Sequence, residues 1–142
     1  MLLATVVTTT ISAIPSWRQK VRLYFHPNDR EILAKIVTQM GSENETFSIF
    51  KIKQQDDFLI EVYKNNPSGE DSFLTKIPLN EKKDAYFNFK GNATNLALSD
   101  IDSDGVPELL VPGYDSDSSP RLNIFKFNKD SQAFDLLKEP KN

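Results

Sequence analysis

The chain has 142 residues, which is the usual size of one domain and is enough to bury a hydrophobic core. Its 39% hydrophobic and 26% charged residues are typical of a soluble globular protein, and its ten Phe residues favour a sheet. The absence of Cys excludes disulfides, Cys-ligated zinc and a cysteine nucleophile, and scattered basic residues at a net charge of -3 give little support to nucleic-acid binding.

Residues 1–14 form an uncharged, mostly apolar segment that Pro15 interrupts. The segment is shorter than the roughly 20 residues of a membrane-spanning helix, but it suits the apolar part of a secretion signal, with a small-residue region at residues 12–13. The nearest basic residues follow this segment, whereas a signal peptide carries them in front. We therefore interpret residues 1–17 as a signal or anchor remnant or, alternatively, as a tail or strand that belongs to the domain.

A helix is predicted next. Asn28 or Asp29 can cap its first turn, and Gly41 follows where a helix end favours a left-handed residue. Between these ends, apolar residues recur at helical spacing at Ile32, Leu33, Ile36, Val37 and Met40. The pattern predicts one amphipathic helix before the sheet.

The rest of the chain predicts strands, because apolar and polar residues alternate between clusters of turn-forming residues. About eight short strands at nearly regular spacing indicate an antiparallel meander. The predicted fold class is therefore mainly β (α+β), with residues 18–142 as a single domain. The predicted strands are 46–53, 58–64, 73–79, 85–89, 95–99, 108–111, 121–127 and 134–137.

An acidic loop with the sequence D-x-D-x-D-G-x-x-E occupies residues 100–108. Because its Asp residues alternate, a curling backbone can turn their carboxylates toward one point, and Gly105 allows the sharp turn that follows. Calcium takes about six to eight oxygen ligands in flexible geometry, and without a cation the clustered acids repel one another. We predict a calcium site whose ligands are Asp100, Asp102, Asp104, Val106 (through its carbonyl) and Glu108.

Other interpretations of the acidic residues fit less well. Magnesium demands a tighter octahedron, and the single histidine, His26, is far away in the sequence. An EF-hand needs a Glu at its twelfth position, which here is Val111. A run of Asx turns without metal is the alternative for the loop. Asp115 and Asp117 lie either at a second ion or, as we prefer, in a solvated loop.

The loop and its flanks resemble the FG-GAP or VCBS-type calcium repeat of integrin α-chain propellers and bacterial surface proteins. Residues 96–111 match the strand, the D-x-D-x-D-G-x-x-[DE]-L loop and the second strand of the repeat, and residues 121–127 resemble an outer strand. The resemblance covers residues 95–137 and implies the same five ligands in a propeller-like blade. A propeller needs about four to eight blades, whereas this chain has one clear repeat and at best one degenerate second unit.

The resemblance implies an extracytoplasmic domain, secreted or at the cell surface, in which Ca²⁺ is structural. We expect a non-enzymatic binding or scaffold domain with a protein or carbohydrate partner, anchored to a membrane through its N-terminus if that segment is retained. One alternative is a subunit of a larger assembly, such as a homo-oligomer, that pairs through exposed strand edges. Another is a small hydrolase that uses an Asp/Glu pair among Glu108, Asp115 and Asp117.

Overall fold

The computed structural model describes residues 29–40 and 45–137. The chain divides into two compact units, Met1–Arg30 and Glu31–Asn142, and nearly all described residues belong to the second. The predicted signal or anchor segment at residues 1–17 lies outside the described residues. Every regular element in the described ranges is a strand, so none of them is a helix that could cross a membrane.

The first sheet has four strands in the order β1-β2-β3-β4. The pairs β2–β3 and β3–β4 are antiparallel, which gives the predicted meander. In β2, Phe47, Ile49 and Lys51 alternate with residues of the opposite face, so their side chains point to one side of the sheet. The strand bounds are β1 Arg30–Met40, β2 Glu45–Gln54, β3 Asp57–Lys64 and β4 Ser72–Leu79.

The prediction of a helix before the sheet is wrong, because those residues form β1. From residue 35 to residue 40 exposed and covered side chains alternate strictly, with Ile36, Thr38 and Met40 on the covered side. Val37 is 56% exposed, although a helix would have placed it on the buried face beside Ile36. The spacing of the apolar residues fits both a helix and a strand. The β-branched residues at positions 36–38 and the pairing with β2 favour the strand.

The second sheet is built around β9. On one side β9 pairs with β10, which pairs with β11, and on the other side β8 and β5 pair with different parts of β9. A separate two-stranded sheet joins β6 and β7. The bounds are β5 Lys83–Asp84, β6 Phe87–Phe89, β7 Asn92–Thr94, β8 Ala97–Ser99, β9 Glu108–Tyr114, β10 Pro120–Asn128 and β11 Ala133–Leu136.

Both larger sheets contribute to one hydrophobic core. The ring of Phe47 in the first sheet lies 5.5 Å from that of Phe127 in the second, and Phe127 lies 5.3 Å from Phe134. The surrounding buried side chains include Ile49, Ile60, Val62, Leu109, Val111 and Phe125. Burying each such side chain contributes about 1.5–3 kcal/mol, so the core fixes β9 and the loop that leads into it. The predicted mainly β, antiparallel fold is confirmed.

Candidate metal centre

The acidic loop connects β8 to β9. Ser99, the last residue of β8, is the register partner of Glu108, the first residue of β9. The loop therefore leaves and re-enters the sheet at adjacent positions of one antiparallel pair. Glu108 is completely buried, so the closing acid of the motif is anchored in the sheet. Residues 100–105 are exposed, and Val106 and Pro107 are half-buried.

The Asp carboxylates stabilise the conformation of the loop by accepting hydrogen bonds from its backbone N–H groups. Asp100 accepts hydrogen bonds from the N–H groups of Asp104 at 3.1 Å and Gly105 at 3.0 Å. Asp104 in turn accepts from the N–H of Val106 at 2.9 Å. The backbone has positive φ at Ser103 (61°) and at Gly105 (84°). Gly105 adopts this conformation cheaply because it has no Cβ atom, so the predicted sharp turn occurs at the glycine.

Glu108 is the exceptional side chain of the site. Its Oε2 atom accepts a hydrogen bond from the N–H of Ile101 at 2.9 Å. Its Oε1 atom is buried and has no hydrogen-bond partner. An unsatisfied buried carboxylate oxygen is costly and uncommon. The ammonium of Lys126 lies 3.8 Å from this atom, beyond hydrogen-bond distance.

Three of the predicted ligands come together. Asp100, Asp102 and Glu108 each place a carboxylate oxygen within 4.8 Å of the others, and the described residues contain no other such group of three or more metal-binding side chains. Two oxygens that bind one calcium ion at about 2.4 Å lie at most about 4.8 Å apart. The spacing of this group therefore fits a single ion.

The other two predicted ligands are placed differently. Asp104 is not in the group, and its Oδ2 atom lies 2.6 Å from Nζ of Lys126. The hydrogen bond from Lys126, followed by that from the Val106 amide, lowers the pKa of Asp104. Val106 is half-buried and packs against the core. Both residues border the group, and their part in metal binding stays a prediction.

Lys126 on β10 contacts the acidic loop, and the sequence analysis did not single it out. Its Nζ atom lies 2.5 Å from Oδ2 of Asp102, and also contacts Asp104. The hydrogen bonds to Asp102 and then to Asp104 raise the pKa of Lys126, so the ammonium stays charged. The sequence does contain a hint of this position. Lys126 stands between Phe125 and Phe127, which are buried, so its side chain lies on the opposite face of β10, the strand that pairs with β9.

Asp115 organises the turn between β9 and β10. Its Oδ1 atom accepts hydrogen bonds from the N–H groups of Asp117 and Ser119, both at 3.0 Å. Its Oδ2 atom accepts a hydrogen bond from Nε of Arg121 at 2.7 Å. The hydrogen bond from Arg121 is the main cause of the lowered pKa of Asp115. Asp117 is exposed, as expected for a solvated loop.

A second buried ionic cluster was also missed. Lys51 is completely buried, and its Nζ atom donates to the carbonyl of Pro112 at 2.6 Å and pairs with Asp84 at 2.7 Å and Glu81 at 3.6 Å. Burial is the largest influence on Glu81 and raises its pKa to about 7. Since Lys51 belongs to the first sheet and Pro112 to the second, this cluster links the two sheets. No sequence pattern distinguishes Lys51 from the exposed bases of an alternating strand.

Comparisons with protein-family models, with curated proteins and with solved structures find no significant match for this chain. The resemblance to the FG-GAP and VCBS repeats therefore rests on the motif at residues 96–111 and on the strand at residues 121–127. Functional inference depends on the geometry of the loop and of the side chains around it.

Proposed function

We propose that this protein is an extracytoplasmic binding or scaffold domain of the FG-GAP/VCBS type, stabilised by one calcium ion in the loop at residues 100–108. The observation that carries the proposal is the buried Oε1 atom of Glu108, which accepts no hydrogen bond and belongs to a side chain grouped with Asp100 and Asp102. A divalent ion at this group would coordinate the buried oxygen directly, whereas the Lys126 ammonium is 3.8 Å away and makes no hydrogen bond to it.

The ion would supply positive charge and structural order, and no chemical step. Asp100, Asp102 and Glu108 would hold it directly. Asp104 and the carbonyl of Val106 complete the proposed ligand set, since calcium takes about six to eight oxygens and fills the remainder with water. With calcium bound, the mutual repulsion of these carboxylates would be neutralised.

The effect of such an ion would reach the core through β9. Glu108 begins β9, which pairs with β10, β8 and β5. At a tenfold excess of calcium over Kd, binding adds about 1.4 kcal/mol to the free energy of unfolding. An affinity of about 10⁻⁴–10⁻³ M is typical of extracellular calcium modules, and this range accords with an extracytoplasmic location.

The strands after residue 96 are also proposed to correspond to one blade. The pairings β8–β9, β9–β10 and β10–β11 follow the chain order, as in a four-stranded antiparallel blade. The loop at residues 100–108 then lies between the first two strands of the blade. This arrangement supports the resemblance, which places the calcium loop at the same point.

A second candidate, a subunit of a larger assembly, is favoured by the edge of the first sheet. Among the described strands, β1 ends the strand order, and its Ile32 and Val37 side chains are 55% and 56% exposed. An exposed apolar edge strand is a template for pairing with another chain. Light scattering that shows a strict monomer with and without calcium would contradict this candidate. The hydrolase alternative gains no support from Asp115, because Arg121 and two amides occupy its carboxylate.

Calorimetric titration and thermal melting of the full chain test the proposed calcium site. We expect the wild-type protein to bind one Ca²⁺ and to melt at a higher temperature with millimolar calcium. E108Q and D100N each remove a proposed ligand charge and should strongly weaken both effects. D117N, which alters an exposed acid outside the group, is the matched control and should behave as wild type. Absence of calcium heat and of any rise in Tm in the wild-type protein would contradict the proposal.

A further inference from the structure

We propose that the ammonium group of Lys126 is a resident counter-cation of the loop at residues 100–108, which a divalent ion must displace. In this role Lys126 holds the acidic loop together without metal and lowers the metal affinity of the loop. The inference rests on the proposed function, because it concerns the exchange of one cation for another at the same carboxylates.

The contacts of Lys126 resemble those of a bound ion, but they are incomplete. Its Nζ atom lies 2.5 Å from Asp102 and 2.6 Å from Asp104, so one positive charge contacts two carboxylates of the loop directly. The distance to Oε1 of Glu108 is 3.8 Å, which is too long for a hydrogen bond. The ammonium therefore makes close ion pairs with two acids at the mouth of the loop and leaves Oε1 of the buried Glu108 without a hydrogen bond.

This difference supplies the driving force for exchange. A ligand shifts an equilibrium only by contacts that differ between the two states. A calcium ion in the loop would reach Glu108, which the ammonium does not, and it would carry twice the charge. The two cations also repel each other and compete for the oxygens of Asp102 and Asp104, so binding of the ion requires Lys126 to leave.

The register of β10 and β11 provides a new partner for the displaced ammonium. Lys126 is directly opposite Asp135 in this antiparallel pair, so both side chains lie on the same face of the sheet. Directly opposite residues have Cβ atoms about 4.5–5.5 Å apart, and opposite charges there attract. Asp135 is exposed and accepts a hydrogen bond from Asn128 at 3.1 Å. The side chain of Lys126 is 29% exposed and can reach this carboxylate through solvent.

The test is calorimetric titration of the full chain with CaCl₂, comparing wild type, K126M and K129M. Methionine keeps the apolar stem of the lysine and removes its charge. Lys129 is exposed in the turn after β10, so K129M makes the same change of net charge outside the loop. Exposed ion pairs are weak, so K126M should bind calcium only a few-fold more tightly than wild type, and K129M should match wild type. The Tm of K126M without calcium should fall below that of wild type.

The outcomes separate this inference from the proposed function. Calcium binding by wild type with unchanged or weaker binding by K126M would overturn the role of Lys126 and leave the calcium site intact. Binding by K126M alone would support competition between the ammonium and calcium for the same carboxylates, but it would overturn the proposed function of the wild-type protein. No binding by either protein would overturn both proposals.

The new partner of the ammonium is tested by D135N in both backgrounds. With Lys126 present, D135N should weaken calcium binding, because the displaced ammonium loses its acceptor. In K126M the same substitution should have a smaller effect, and equal effects would overturn the assignment of Asp135.

Discussion

Gly113 of β9 faces the carboxyl group of Glu81 so closely that a Cβ atom on Gly113 would overlap the Cδ and both carboxylate oxygens of Glu81. The requirement for glycine here is one of space, since the overlap is with a buried side chain of the ionic cluster around Lys51. The two residues therefore form one packing unit between the segment before β5 and the central strand of the second sheet.

G113A is expected to destabilise the protein by about 1–3 kcal/mol, the usual cost of overpacking a filled interior. Urea denaturation measures this loss. E81A provides the control, because it removes the carboxyl group that the new Cβ atom would overlap. The free energy of unfolding of the double variant G113A/E81A should therefore fall by less than the sum of the decreases in the two single variants. Strict additivity of the two losses would show that the two side chains do not compete for the same space.

The stability of the protein should fall as the pH rises from about 4.5 to about 7, because of Glu81. Burial raises the pKa of Glu81 from 4.5 in the unfolded chain to about 7 in the folded one. In this window the folded state binds more protons than the unfolded state, so each rise in pH favours unfolding. The total loss from this group is up to about 3 kcal/mol, at about 1.36 kcal/mol per pH unit.

E81Q mimics the protonated acid and should remove this part of the pH dependence. Its amide oxygen can still accept the hydrogen bond that Asn123 donates to Glu81 at 2.7 Å. Urea denaturation of both proteins at pH 5, 6, 7 and 8 should give a slope for wild type that is absent in E81Q. If the free energy of unfolding changed with pH equally in the two proteins, groups other than Glu81 would cause the pH dependence.

The difference between Ile36 and Val37 tests the corrected assignment of β1. In a helix the two side chains would share the buried face, whereas in the strand Ile36 is covered and Val37 is 56% exposed. V37K should change the free energy of unfolding by less than about 0.5 kcal/mol, as expected for an exposed site. I36K should cost about 1–3 kcal/mol, because it brings a charge to a covered apolar position. Similar losses in the two variants would contradict the strand.

The sequence was most informative where local pattern and tertiary environment agree. The alternation in β2 and β3 and the turn between them correctly predicted their antiparallel pair, and the D-x-D-x-D-G motif correctly predicted the turn at Gly105. At β1 the apolar spacing suited both a helix and a strand, and pairing with β2 decided the outcome. A local sequence pattern carries no information about pairing with a strand elsewhere in the chain.

The ionic contacts were beyond prediction for a similar reason. Lys126 reaches Asp102 across 24 positions of the chain, and Lys51 reaches the carbonyl of Pro112 across 61. Their roles depend on the register of β10 against β9 and on the packing of the two sheets. A charged residue in an alternating strand is usually exposed, so local pattern alone does not predict which distant groups these two lysines contact.

Asp104 is both a proposed calcium ligand and a partner of Lys126. D104N should weaken calcium binding less than D100N does. The substitution removes one carboxylate ligand, but it also removes the Oδ2 atom that holds the ammonium at 2.6 Å, and easier displacement of Lys126 offsets part of the loss. Calorimetric titration of both variants measures the difference.

The K126M background separates the two roles of Asp104. Without the ammonium, D104N can no longer ease its displacement, so the loss of calcium affinity caused by D104N should be larger in K126M than in wild type. Within residues 29–40 and 45–137, the ion pairs of Lys126 are with Asp102, Asp104 and Glu108 and do not include Asp100. The loss caused by D100N should therefore be alike in the two backgrounds. If D104N left calcium affinity unchanged in K126M, Asp104 would be a partner of the lysine alone, and the ligand set would contract to Asp100, Asp102, Glu108 and backbone or water oxygens.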